Sequence, residues 1–184
     1  MDKYYRLILW GMAFIFININ INRFDLLPDI VGYIIIMNAV INLHNETNIP
    51  SFKISSYFGI ACIVVDVVTF IKPFVMYDES IIINLVITTL TQLFLLGLIF
   101  YIYEGTIRLL ENEYTQLMLT MKTAQRAILI LQMILIITTT LTINMSNDVK
   151  SIIVVIGVIT GFTTLIIWAV NMNTVRKYYK ENLS

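Results

Sequence analysis

Charge is scarce in this chain. Asp, Glu, Lys and Arg make up 13% of its 184 residues, against roughly 25% in ordinary soluble domains. Hydrophobic residues reach 58%, more apolar surface than a soluble protein of one-domain length can hide, so part of the solvent must be lipid. A surplus of positive charge is missing too. Twelve basic residues balance 12 acidic ones, and without a basic face nucleic acid is excluded as a partner. Cysteine is limited to Cys62, which cannot close an internal disulfide, so no covalent staple shapes the fold. His-Glu-x-x-His, Gly-x-Ser-x-Gly, a glycine-rich phosphate loop and Cys-x-x-Cys are all absent, and with them the chemistries those spacings support.

What the chain does have is long apolar runs. A span needs about 20 mostly apolar residues to cross ~30 Å of hydrocarbon. Six runs qualify, at about 5–22, 28–43, 52–71, 81–103, 126–145 and 151–172. The breaks carry Pro28, Asn48-Ile49-Pro50, Lys72-Pro73 and the polar stretch from Asn144 to Lys150. The expected fold is therefore an all-α integral membrane protein, a single polytopic domain over 1–184. Lys3 and Arg6 ahead of the first run imitate a signal peptide. The run ends in Ile17-Asn18-Ile19-Asn20-Ile21-Asn22 rather than a small-residue cleavage site, which reads as an uncleaved first span.

Orientation follows from basic residues in alternate connections. Lys3, Arg6, Lys53, Arg108, Lys122, Arg126, Arg176, Lys177 and Lys180 fall on one side, and only Arg23, Lys72 and Lys150 on the other. That bias places both termini in the cytoplasm. Tyr4, Tyr5, Trp10, Tyr101, Tyr103, Trp168, Tyr178 and Tyr179 sit near the inner ends of the spans, where an aromatic belt belongs. Abundant isoleucine fits an AT-rich bacterial genome, so the expected location is the bacterial cytoplasmic membrane, with the lipid bilayer as the surrounding partner.

One connection is long. From Gly105 to Arg126 no proline or further glycine intervenes, and Ile107, Leu110, Tyr114, Leu117, Met121, Ala124 and Ile128 recur at spacings of three and four. That stripe predicts an amphipathic helix over 105–126 on the inner side, lying on the membrane surface or extending the fifth span. A sharper alternative is a docking helix for a membrane or cytoplasmic protein, with Arg108, Glu111 and Tyr114 as contact residues. Gly157 and Gly161 form a Gly-x-x-x-Gly pair, a candidate face for homo-oligomer formation.

The densest chemistry lies at Asn22-Arg23-Phe24-Asp25-Leu26-Leu27-Pro28-Asp29-Ile30-Val31-Gly32-Tyr33, a charged hairpin between two apolar runs. Asp25 is placed to cap the second span, Pro28 suits a first helical turn, and Asp29 suits the positive end of the helix dipole. Asp66 is the sole acid well inside a span, where an ionised carboxylate must be paired, hydrated or protonated. Two roles are open to it. It either pairs with Arg23 or Lys72 and pins two helices, or it joins Asp25, Asp29, Arg23 and Asn22 in an outward-facing polar cleft for a small solute or cation. His44 falls on the opposite side from Cys62, which argues against a Cys–His dyad, and an aspartyl dyad lacks a second deep acid. The expectation is a non-enzymatic protein without cofactor or metal. It would bind or move a solute, or else act as a regulatory, assembly or immunity-type membrane protein through a protein partner.

The run Phe24 to Tyr33, with Ile34-Ile35-Ile36 and Asn48-Ile49-Pro50-Ser51-Phe52-Lys53 after it, resembles a group of small, uncharacterised membrane proteins of low-GC Gram-positive bacteria. Their signature at the first hairpin looks like Phe-Asp-Leu-Leu-Pro-Asp-x-x-Gly-Tyr. The resemblance covers the first third of the chain and implies topology and lineage, not mechanism. In architecture alone, six spans and a cytoplasmic N-terminus resemble the substrate-binding subunits of energy-coupling-factor vitamin transporters. Those tend to carry a small-residue stripe in the first span, where this chain has only Gly11 and Ala13.

Overall fold

A computed structural model describes residues 1–16, 20–21, 24–25, 29–75, 81–111, 114–141 and 145–182. Six helices account for nearly all of them: α1 (Asp2–Phe16), α2 (Asp29–Thr47), α3 (Pro50–Val75), α4 (Ile81–Leu110), α5 (Thr115–Leu141) and α6 (Asn147–Asn182). A small antiparallel ladder of β1 (Asn20–Ile21) and β2 (Phe24–Asp25) lies between α1 and α2, pairing Asn20 with Asp25 and Ile21 with Phe24. Each helix packs on the next, and α6 returns to pack on α1. The result is a closed ring of six. Both chain ends lie at one end of this bundle, here the terminal end, and the β1–β2 ladder marks the opposite, hairpin end.

Four helices, α3 to α6, are long and apolar enough to cross a membrane. The first two do not reach that mark. The first run was expected to be helical to residue 22, but α1 ends at Phe16 and Asn20-Ile21 is extended. The strict alternation of Ile and Asn over 17–22 has the period of a strand, and neither residue favours a helix. Asp25 consequently lies in β2 instead of capping α2, which begins with Asp29 in its first turn. The stripe over 105–126 is also divided. Its first part completes α4 to Leu110, and its second opens α5 at Thr115. Ile107, Leu110, Leu117, Met121, Ala124 and Ile128 face the protein interior while Tyr114 is exposed, so the stripe lines the α4–α5 hairpin and its second part extends the fifth run.

Local chemistry explains the tight α2–α3 corner. Asn48 takes a left-handed conformation, φ 56°, which asparagine tolerates at a helix C-terminus. Its N–H donates to the His44 carbonyl at 2.7 Å. His44 Nδ1 lies 3.0 Å from the Ile49 carbonyl, and Pro50 then opens α3, where its missing N–H costs nothing. Helices α1 and α2 approach until backbones touch. A Cβ on Gly32 would stand 2.5 Å from the Gly11 carbonyl oxygen, and one on Gly11 would stand 2.7 Å from that of Gly32.

The core is concentrated toward the terminal end and reaches the α2–α3 seam through Tyr33 and Cys62. Tyr5, Ile8, Ile36, Leu43, Phe52, Leu98, Ile102, Tyr103 and Trp168 are fully enclosed. Toward the hairpin end burial stops abruptly. No residue is buried over 63–71 of α3 or 82–95 of α4, and Ile153 alone is buried over 149–163 of α6. Exposed valine, isoleucine and phenylalanine on several sides of one helix suit an apolar medium. Serine and threonine hydroxyls there mostly donate to their own helix, as Thr69, Thr91 and Thr163 do to the carbonyl four residues back. Only a few polar side chains bridge helices, such as Gln132 to Thr164 at 3.2 Å and Thr139 to Gln92 at 3.5 Å.

Candidate functional site

The seam between α2 and α3 carries two acids of the expected site, Asp29 and Asp66. Asp29 and Tyr33 are one turn apart on α2, and Cys62 and Asp66 one turn apart on α3. The helices are antiparallel neighbours, so the two pairs run opposite each other. Tyr33, 1% exposed, and Cys62, also 1% exposed, face each other across the seam, and both Asp29 and Asp66 lie within electrostatic reach of the Tyr33 phenol. Asp66 acts on the Cys62 thiol as well. Both carboxylates are partly buried. Each also engages partners in the fold. The arrangement is two acids about one buried phenol–thiol pair, and burial of that pair strengthens the electrostatic interactions around it.

The structure thus brings together two of the residues proposed from sequence, Asp29 and Asp66. Asn22 and Arg23 lie outside the described residues. Asp25 is described only in its backbone, paired with Asn20 in the ladder. Tyr33 and Cys62 were not among the expected site residues. Their signal was the four-residue spacing from Asp29 and Asp66, but it becomes a site only once the rotation of α2 against α3 is known. Among the described residues, no group of three His, Cys, Asp or Glu side chains is arranged to hold a metal ion. His44 sits at the α2–α3 corner against the Ile49 carbonyl, whereas Cys62 lies more than three turns into α3, beside Tyr33.

The candidate partner residues are spread over the α4–α5 turn. Arg108 Nε pairs with Glu104 Oε1 at 2.9 Å, one turn away. Glu111 is exposed just past α4. Tyr114 stacks on Tyr178 with ring centroids 5.6 Å apart, tying the turn to α6. Nearby, an open groove of about 510 Å³ runs between α5 and α6, with Thr120, Ala124, Ala127, Ile167 and Asn171 on its walls. Of the Gly-x-x-x-Gly pair, a Cβ on Gly157 would meet Leu135 of α5 at 3.2 Å, whereas one on Gly161 would meet nothing within 4 Å.

Fold and site together define an all-α protein with four helices of membrane-crossing length and hydropathy and a pair of acids at one helix seam. Among known proteins, no family model, no curated protein and no solved structure matches this chain.

Proposed function

We propose that this chain is a bacterial, multi-pass cell-membrane protein, with both termini cytoplasmic, that binds or moves a small cation at the α2–α3 seam. The observation that carries the reading is the meeting of Asp29 and Asp66 about the buried Tyr33 phenol. Two carboxylates on facing helices, both within reach of one buried phenol, favour a positive charge between them in surroundings of low dielectric, a proton or a small monovalent ion. The orientation rests on the nine basic residues at the terminal end against three at the other, and it places the acids toward the outer surface. The candidate docking residues Arg108, Glu111 and Tyr114 stay on the surface of the α4–α5 turn, so action through a protein partner stands as the alternative reading.

The test is thermal unfolding of the detergent-purified protein in NaCl, KCl and choline chloride of equal ionic strength, across a pH series. The expected result is stabilisation by sodium, potassium or protons that disappears in both Asp29→Asn and Asp66→Asn. The reading fails when neither cation nor pH distinguishes the parent from the two variants. It fails equally when the variants fold, stay stable and retain the full cation response.

A further inference from the structure

The open groove between α5 and α6, about 510 Å³, has walls of two kinds. Leu119, Ala127 and Ile167 make it apolar, and Thr120, Thr123 and Asn171 add polar atoms. Those polar groups spend their donors within their own helices. Thr120 donates to the Gln116 carbonyl at 3.1 Å, Thr123 to the Leu119 carbonyl at 3.0 Å, and the Asn171 amide to the Ile167 carbonyl at 2.7 Å. Each keeps an oxygen that can accept. Along α5 the groove runs three turns, from Gln116 to Ala127, about 16 Å. It ends where the apolar run of α5 begins, at about residue 126, so it lies at the border of hydrocarbon and water. Past that border Ile130, Ile134 and Ile166 are exposed and continue an apolar surface.

Two cations flank the groove. Arg126 is exposed on α5, about one turn past Thr123 on the same side of the helix. Lys177 is exposed on α6 beside Tyr178, whose ring stacks on Tyr114 just ahead of α5. Among the described residues the ion pairs are Lys3–Glu46, Arg108–Glu104 and Arg176–Asp2. Neither Arg126 nor Lys177 joins one. A basic hollow between membrane helices, at the level of the headgroups, is a setting in which anionic lipids bind. We propose that the α5–α6 groove holds an anionic glycerophospholipid, its phosphate toward Arg126 and Lys177 and one acyl chain along Ile130 and Ile166. The apolar wall selects a lipid over free phosphate, and the unpaired cations select an anionic lipid over a zwitterionic one. This site is separate from the α2–α3 seam, so it stands or falls without the cation reading.

The test is native mass spectrometry and thermal unfolding of the detergent-purified protein with phosphatidylglycerol, phosphatidylcholine or glycerol phosphate added. Phosphatidylglycerol alone is expected to raise Tm and to stay bound as one molecule per chain. Arg126→Gln combined with Lys177→Gln should weaken it roughly 30-fold. Arg6→Gln combined with Lys53→Gln removes the same charge from exposed positions elsewhere at the terminal end and should leave binding unchanged. Ala127→Phe, which fills the groove without touching charge, should abolish it. The proposal is overturned if phosphatidylcholine or glycerol phosphate binds as well, or if the first double variant keeps full affinity. Equal losses in the two double variants, or full binding by Ala127→Phe, overturn it too. A lipid-independent dimer that Ala127→Phe breaks would put a second copy in the groove and also overturn it.

Discussion

The two halves of this bundle are built from similarly apolar sequence and behave in opposite ways. At the terminal end, aromatic rings fill the ring of helices. Tyr5 donates across it to Thr106 of α4 and stacks on Tyr179 of α6 at 6.0 Å, and Phe52 lies over Gly105. At the hairpin end, α4 and α6 present Ile82, Val86, Val154, Ile159 and Phe162 to the surroundings. Hydrophobicity therefore does not decide where the core forms. Where lipid solvates apolar groups as well as protein does, close packing and hydrogen bonds must hold the helices together. In the terminal half large rings are set against small residues, as Phe52 is against Gly105, whereas residues 63–71 of α3 and 82–95 of α4 contribute no buried side chain.

That contrast can be broken by substitution, with thermal unfolding in micelles as the readout. Phe52→Ala should cost the most, about 3 kcal/mol, from the cavity beside Gly105, whereas Phe162→Ala at the hairpin end should stay within about 0.5 kcal/mol. Gly32→Ala should cost about 2 kcal/mol, since the new Cβ meets the Gly11 carbonyl, a backbone atom that cannot swing aside. Gly161→Ala, which meets nothing within 4 Å, should be neutral or stabilising by a fraction of the helix-propensity difference. Tyr5→Phe should cost about 1 kcal/mol for one buried hydrogen bond. Arg176→Ala removes a part-exposed contact to Asp2 at 3.6 Å and should cost less than about 1 kcal/mol, shrinking further in high salt. Equal losses at Phe52 and Phe162 would erase the distinction between the halves.

Much of the fold was legible in the sequence because composition alone marks apolar runs, and each of the six runs contains a helix. The punctuation at Asn48-Ile49-Pro50 was legible because each residue there has a conformational reason. Other features were not. The Ile-Asn alternation over 17–22 was counted as part of an apolar run, although its period is that of a strand. The aromatic residues taken for an interfacial belt divide in two: Tyr4, Tyr5, Tyr103, Trp168 and Tyr179 are core, while Trp10 faces outward. Position along a span is written in the sequence, but direction around the helix depends on which neighbours it meets. For the same reason Asp29 and Asp66 could be placed on one side, yet Tyr33 and Cys62 between them could not. Helix α4 stops at Leu110 without glycine or proline, a break that the regular apolar stripe conceals.

The contact between the two ends of the chain bears on how the protein is made. Asp2 meets Arg176 and Tyr5 meets Tyr179, so α1 is synthesised well before its neighbour α6. At about 5–20 residues per second, the chain between them takes on the order of 10–35 s to synthesise. Until α4 emerges the Tyr5 hydroxyl has no Thr106 to meet, and until α6 emerges its ring has no Tyr179 to stack on. An insertase or chaperone that shelters a nascent aromatic face would act on this protein early, and its work would end only when α6 arrives.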